Sequence, residues 1–277
     1  MANATDYLRA GDLAGALSAL QEQVRARPED AKLRIFLFQL LSVMGDWKRA
    51  VAQLKVCAQL DSEAVTMAQT YREAIVCEVF REKVFAGETE PLILGEPREW
   101  TVLLVQALAA LASGQAAEAA SLRARAFEMA PVTPGALDEA DFEWIADADM
   151  RFGPLLEIII NGRYAWLPFE NVAAIRAEPP ADLRDAVWTP VELTLVNGDE
   201  FVGLIPTRYP GTTTAGTDAE KLGRATSWHD AGADTFVGRG QRLLATDAGD
   251  TALMDLRHLA LRSARTPAGP EGVAADV

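Results

Sequence analysis

A chain of 277 residues with 49% hydrophobic and 24% charged side chains suits one large domain or two small ones, either able to bury a core. Its formal charge of −14 argues against nucleic acid or an anionic membrane as the main ligand and favours a basic partner, though most of these charges read as a solvated surface. Cys57 and Cys77 fall in expected helices, too few and too far apart for a zinc framework, and read as reduced, packed thiols. No apolar run reaches the ~18 residues of a membrane span, and Met1–Arg9 lacks the apolar core of a secretory signal, so a cytoplasmic protein is expected.

Residues 5–130 read as helices with a repeat. Gly11-Asp12 is followed by Leu13, Ala16, Leu17, Leu20 and Val24 on one helical face. Gly45-Asp46 is followed by Trp47, Ala50, Val51, Leu54 and Ala58, each displaced by 34 residues, the period of a tetratricopeptide repeat. Gly114 and Pro131 repeat the spacing of Gly11 and Pro28, with Ala116, Ala119, Ala120 and Phe127 on the matching face. The register breaks at Arg123, which stands where Leu20 and Leu54 stand, and Ser62 replaces the closing proline of the second repeat. The intervening helices are Ala31–Met44, Glu63–Ala86 and Arg98–Ser113. The second of these is too long for an ordinary repeat helix and is ended by Pro91, Gly95 and Pro97. An irregular tetratricopeptide-like array is the reading, with a plain antiparallel bundle as the alternative.

Leu33, Ile35, Phe36, Leu37, Phe38, Leu40 and Leu41 occupy more than one face of their helix, which fits either a groove-lining helix or one buried on all sides. Ile35, Phe36, Phe38 and Leu41 are the candidate partner-binding residues. Phe36 and Phe38 point ~200° apart, so only one of the two can face a groove.

Pro131, Pro134 and Gly135 end the last repeat, and residues 136–150 read as an acidic connecting segment with six carboxylates, no basic residue, and Trp144 and Ile145 to dock it. The spacing is not that of a calcium loop, so capping and solvation account for these acids. A β-hairpin follows. Pro154 opens it, Leu155–Ile160 is an apolar strand, Asn161-Gly162 suits a type I′ turn, and Arg163–Leu167 returns with Tyr164 and Trp166. Further strands are expected at Glu170–Arg176, Val187–Val196, Glu200–Ile205, Ala225–Trp228, Thr235–Val237, Arg242–Ala245 and Ala252–Leu256, with a second type I′ turn at Asn197-Gly198. They suggest a small barrel or sandwich with Trp166, Trp188 and Trp228 in its core. Leu259–Arg265 reads as a short helical turn, and residues 266–277, rich in Pro, Gly and Ala, as a disordered tail.

The fold class is therefore α+β, with a helical domain at 1–135, the connection at 136–150, a β-rich domain at 151–265 and the tail. Catalytic signatures are missing: there is no Gly-x-Ser-x-Gly elbow, no phosphate-binding glycine loop, no His-x-x-x-His and no Cys-x-x-Cys. His229, flanked by Ser227 and Asp230, is not expected to form a triad, because strand neighbours point to opposite faces. No cofactor or metal is expected. Asp149, Arg151 and Glu157 form the most suggestive polar set, read as an ionic bridge between connection and hairpin, with a partner-binding patch as the second reading. A hydrolase using His229 or the carboxylates, and a purely structural scaffold, remain the alternatives to an interaction protein.

One resemblance spans nearly the whole chain. Asp147-x-Asp149-x-Arg151-x-Gly153-Pro154-x-x-Glu157, then Asn161-Gly162-Arg163-Tyr164-x-Trp166-x-Pro168, are similar to the ImpE/TagJ family of bacterial type VI secretion. Leu183-Arg184-Asp185-x-x-Trp188, Pro206-x-Arg208-Tyr209-Pro210-Gly211, Leu222-Gly223-Arg224-x-Thr226-x-Trp228 and Gly240-Gln241-Arg242 continue the match in order. The resemblance implies a non-enzymatic accessory protein with an amino-terminal helical repeat region and a carboxy-terminal β-rich region. Its implied partners are the amino-terminal helix of the small contractile-sheath subunit and, in some members, the AAA+ ATPase that recycles contracted sheath. It implies no catalytic residue.

Overall fold

Gly11, Gly45 and Gly114 each end a helix in the left-handed region, with φ of 77°, 76° and 76°, a conformation that costs a side-chain-bearing residue more. The computed structural model describes residues 3–262. Its helices begin with α1 (Ala4–Ala10), α2 (Leu13–Ala26), α3 (Ala31–Met44), α4 (Trp47–Leu60) and α5 (Ala64–Phe85). A two-residue strand β1 (Leu92–Ile93) precedes α6 (Glu99–Ala112) and α7 (Ala116–Met129). Asp12 and Asp46 cap α2 and α4 by accepting from the amides of Gly15 and Arg49, at 2.7 Å and 3.2 Å. Ala16, Ala50 and Ala119, five residues after their glycines, are fully buried. A methyl group is what lets paired helices approach there, and the 34-residue spacing records it.

The strands are β2 (Gly135–Leu137), β3 (Ala140–Phe142), β4 (Ile145–Asp147), β5 (Leu155–Ile160), β6 (Arg163–Pro168), β7 (Val172–Arg176), β8 (Trp188–Leu195) and β9 (Glu200–Pro206). Two short helices, α8 (Thr212–Ala215) and α9 (Asp218–Lys221), lead to β10 (Thr226–Asp230), β11 (Phe236–Gly240), β12 (Leu243–Thr246), β13 (Gly249–Ala252) and β14 (His258–Leu261). Nine strands form one open sheet in the order β1-β6-β5-β9-β8-β7-β14-β2-β3. β1 runs parallel to β6 and the other pairings are antiparallel. A second sheet, β13-β12-β4, and the β10–β11 ribbon complete the β half. The architecture is thus sandwich-like and not a closed barrel.

Alternation along β5 explains how the halves meet. Leu155 and Ile159 join an apolar cluster shared with the helices, while Leu156 and Ile158 join a second cluster on the far side of the sheet, with Ile145, Leu193, Leu244 and Leu259. The shared cluster is aromatic. Phe38 packs on Tyr71 at 5.6 Å between ring centroids, Tyr71 on Trp188 at 5.5 Å, and Phe152 on both Phe85 and Trp166 at 5.5 Å. α5, the helix too long for a repeat, lies between the array and the sheet. It buries Tyr71, Ala74, Ile75, Cys77, Glu78, Arg81 and Val84 around about half of its circumference.

Several expectations are corrected. The helical array ends at Met129, one apolar cluster crosses the boundary, and β1, between α5 and α6, pairs with β6 of the hairpin. Segment 136–150 is not a free connection. It supplies β2, β3 and β4, because Leu137, Phe142 and Ile145 have core positions to fill. In the described part of the expected helical turn, residues 259–262, the chain is extended: Leu259 and Leu261 alternate inward, and β14 pairs with β7 and β2, while 263–265 lie outside the described residues. The expected strand Ala252–Leu256 is mostly a 3₁₀ turn over Leu253–Asp255. At the second hairpin only Gly198 takes positive φ, so that turn is not type I′, whereas Asn161 and Gly162 have φ of 52° and 69° as that turn requires. Trp166 and Trp188 are core residues, but Trp228 is 40% exposed and Trp144 also stands at the surface. The tail at 266–277 lies outside the described residues.

Unfolding in urea, followed by circular dichroism and by tryptophan fluorescence, is expected to give one coincident transition. Trp188→Ala should cost about 3–5 kcal/mol. Residues 1–135 alone should lack a cooperative transition, having lost Phe152, Trp166, Trp188 and the rest of the sheet's share of that core.

Candidate functional site

The most polar point in the core is Glu157, on the helix-facing side of β5 with no solvent exposure. An ionised carboxylate there is stable only if cations and donors replace its water. Arg81 of α5 does so in a bidentate fork, its Nε and Nη2 each 2.6 Å from the two carboxylate oxygens. Arg242, just before β12, donates to Glu157 through Nη2 and to Asp147 of β4 through Nη1. The Tyr164 hydroxyl also donates to Glu157 and accepts from Trp166 Nε1 at 2.7 Å.

The network continues outward. Arg81 Nη1 donates to Glu78 at 3.3 Å, and Trp188 Nε1 donates to the other Glu78 oxygen at 3.2 Å. Arg81 Nη2 reaches the Arg208 carbonyl at 2.8 Å. Arg208 itself caps two helix ends, donating to the carbonyls of Val43 and Lys221, both at 2.7 Å. Asp149 receives the Arg151 backbone amide and Nε at 2.9 Å and the Gly238 amide at 2.7 Å. Arg151 pairs with Asp149, two residues away, while Glu157 pairs with Arg81 and Arg242. Gly153 sits against the ring of Phe127, where any Cβ would collide, and Pro154 and Pro168 bracket the hairpin.

Burial alone would raise Glu157, but Arg81 and then Arg242 outweigh it and hold the carboxyl down to about 2. Burial pushes Asp147 up to about 7, with Arg242 offsetting only part of it. Burial and the Glu157 charge keep the Tyr164 hydroxyl protonated, its pKa well above the ordinary value. Burial likewise pushes the thiols of Cys57 and Cys77 up to about 11 and about 12, which makes them packed, unreactive thiols. Glu157 is saturated with donors and too acidic for a general base near neutral pH. The cluster is a structural device. A cleft of about 290 Å³ beside it, between α5 and residues 208–214, is lined by Glu78, Arg81 and Arg208, whose hydrogen bonds the network already uses.

His229 has a closer neighbour than expected. Ser227 Oγ lies 2.9 Å from its Nε2, since residues two apart on a strand share a face. The acid is misplaced for a relay, however. Glu220 accepts from Ser227 and from the Thr217 amide at 2.6 Å, contacting the serine and not the imidazole. Among the described residues no group of three His, Cys, Asp or Glu side chains is arranged to hold a metal ion.

Of the four candidate partner-binding residues, Phe38 and Leu41 are sealed in the core, and Ile35 and Phe36 are half-buried. The carboxy-terminal half of α3 is buried on all sides, Gln39 and Ser42 included, so Phe38 and Leu41 line no open groove. Sequence reasoning missed the pairing of Glu157 with Arg81 and Arg242, and that of Arg242 with Asp147. The one local signal was a lone glutamate inside the run Leu155–Ile160. Arg123, the break in the repeat, donates to Thr235 Oγ1 at 2.9 Å and ties α7 to the β half.

The array and sheet together define a tetratricopeptide-type repeat protein locked to a β half by buried ion pairs. Residues 7–63 match the tetratricopeptide repeat family, and residues 139–260 match the family described as ImpE protein. A Pseudomonas aeruginosa protein, type VI secretion system accessory component TagJ, is 56% identical over 256 residues, covering 92% of this chain and 90% of the relative. The crystal structure of protein VPA1032 from Vibrio parahaemolyticus has the same fold, with a TM-score of 0.85 and 26% identity over 94% of this chain and 97% of that one. The chain belongs to the ImpE/TagJ family.

Two pH limbs follow from the cluster. The folded state lowers Glu157 from 4.5 to about 2. Its contribution, on the order of 3 kcal/mol, is present above pH ~4.5 and lost as pH falls toward ~2. Asp147 acts in the opposite sense: it is raised from 3.8 to about 7, so stability declines as pH rises through that window. In urea titrations from pH ~2 to ~8, Glu157→Gln should lose about 3–5 kcal/mol at neutral pH and flatten the acid limb. Asp147→Asn should remove the decline on the other limb.

Proposed function

We propose that this protein is a non-enzymatic, cytoplasmic accessory component of a bacterial type VI secretion system. It binds the amino-terminal helix of the small contractile-sheath subunit and, through that contact, links sheath to its recycling AAA+ ATPase. The observation that carries the reading is near end-to-end identity of 56% with a protein named as such an accessory component. The fold supports it. Repeat arrays present helix faces to partner helices, and the ionic cluster makes α5 and the sheet one rigid platform. Among the described residues no helix is long and apolar enough to cross a membrane.

Calorimetry of the full chain with a synthetic sheath amino-terminal helix is the test, and saturable one-to-one binding is expected. His229→Ala should leave that binding and the fold unchanged, and the pure protein should hydrolyse no ATP. Robust turnover lost in His229→Ala would favour the hydrolase alternative at Ser227–His229.

A further inference from the structure

α5 leaves one face largely uncovered, with Phe80 at its edge also resting on Tyr164 at 6.1 Å between ring centroids. Val76 is 63% exposed, Val79 40% and Phe80 36%, and Arg72 and Lys83 stand exposed about one turn before and after them. At 100° per residue these five side chains fall within an arc of about 100°, along about 16 Å of helix. Glu73 and Glu82 lie on either side of the arc and are engaged elsewhere: Glu73 accepts from Gln69, and Glu82 accepts from Trp47 Nε1 at 2.8 Å. Arg72 donates to Gln69 at 2.9 Å and not to a carboxylate. The result is an apolar stripe with a cation at each end, on a chain whose formal charge is −14. Over contact distances, shorter than the ~8–10 Å screening length, this local sign governs recognition more than the net charge does.

The charge pattern selects the occupant. A second copy packed antiparallel across Val76–Phe80 would set Arg72 against Lys83, like against like. A lipid surface, unlike a single helix, is wide enough to meet the acidic remainder of the chain as well as the stripe, and three apolar side chains are too few for an interfacial anchor. A helix of about three turns, apolar on one stripe and acidic beside it, meets both features.

We propose that the outward face of α5 is the docking surface for an amphipathic partner helix with carboxylates flanking its apolar stripe. That this helix comes from the sheath subunit rests on the function proposed above. The test is calorimetry of the full chain and its variants with the synthetic sheath helix. Val76→Asp, at a position the core does not use, should weaken binding at least about tenfold with unchanged circular dichroism and urea midpoint. Lys83→Glu should weaken it about threefold or more and flatten its salt dependence, and Lys55→Glu on α4 should not. Equal binding by wild type and Val76→Asp overturns the α5 surface and leaves the sheath reading standing. No binding by the wild type overturns both.

Discussion

A carboxylate placed in the middle of an apolar strand dictates what must surround it. Glu157 interrupts Leu155–Ile160 on the side of the sheet that meets the helices, and it is answered by Arg81 from one side and Arg242 from the other. Those arginines come from elements far apart in sequence, so meeting the charge fixes α5, the hairpin and β12 relative to one another. The same requirement fixes register: a one-residue slip of β5 would turn Glu157 into the apolar cluster of Leu156 and Ile158 and strand two guanidiniums. Exchange of the cluster for apolar residues of the same volume could be as stable, but it would not name a single register so sharply.

What was legible in the sequence was periodic or local. The 34-residue spacing of Gly11 and Gly45, the small residues Ala16 and Ala50, and the turn Asn161-Gly162 each state a conformation within a few residues. What was illegible depended on distant partners. Nothing near Arg81 says that its counter-charge lies in a hairpin, and nothing near Asp147 says that it will bind Arg242. The acidic segment 136–150 looked like a linker because it holds six carboxylates and no basic residue. Yet Leu137, Phe142 and Ile145 each anchor a separate three-residue strand in the core, and Asp138, Asp147 and Asp149 accept from backbone amides. Trp228 shows the reverse error. A tryptophan in a strand reads as core, but β10 belongs to a two-stranded ribbon with only one covered face, where the ring rests on Tyr209 and remains half open.

The break at Arg123 belongs to both accounts. As a repeat position it fails, because a guanidinium replaces the leucine that would pack on the next helix. As a contact it succeeds, because Thr235 receives it and the last helix of the array is thereby joined to the ribbon. A departure from a repeat consensus can mark the place where the array ceases to be a solenoid and becomes part of something else.

The two residues of β1 carry a consequence for biosynthesis. Leu92 and Ile93 leave the ribosome between α5 and α6, but their partners Ala165 and Trp166 are made much later. Until then the nascent helical half exposes an unpaired strand, the aromatic face around Tyr71 and an Arg81 whose only carboxylate partner is Glu78 on its own helix. Contacts this distant along the chain form slowly and late. The growing polypeptide is therefore most exposed to aggregation and degradation just before the hairpin emerges, and native structure in both halves is gained nearly at once when it does.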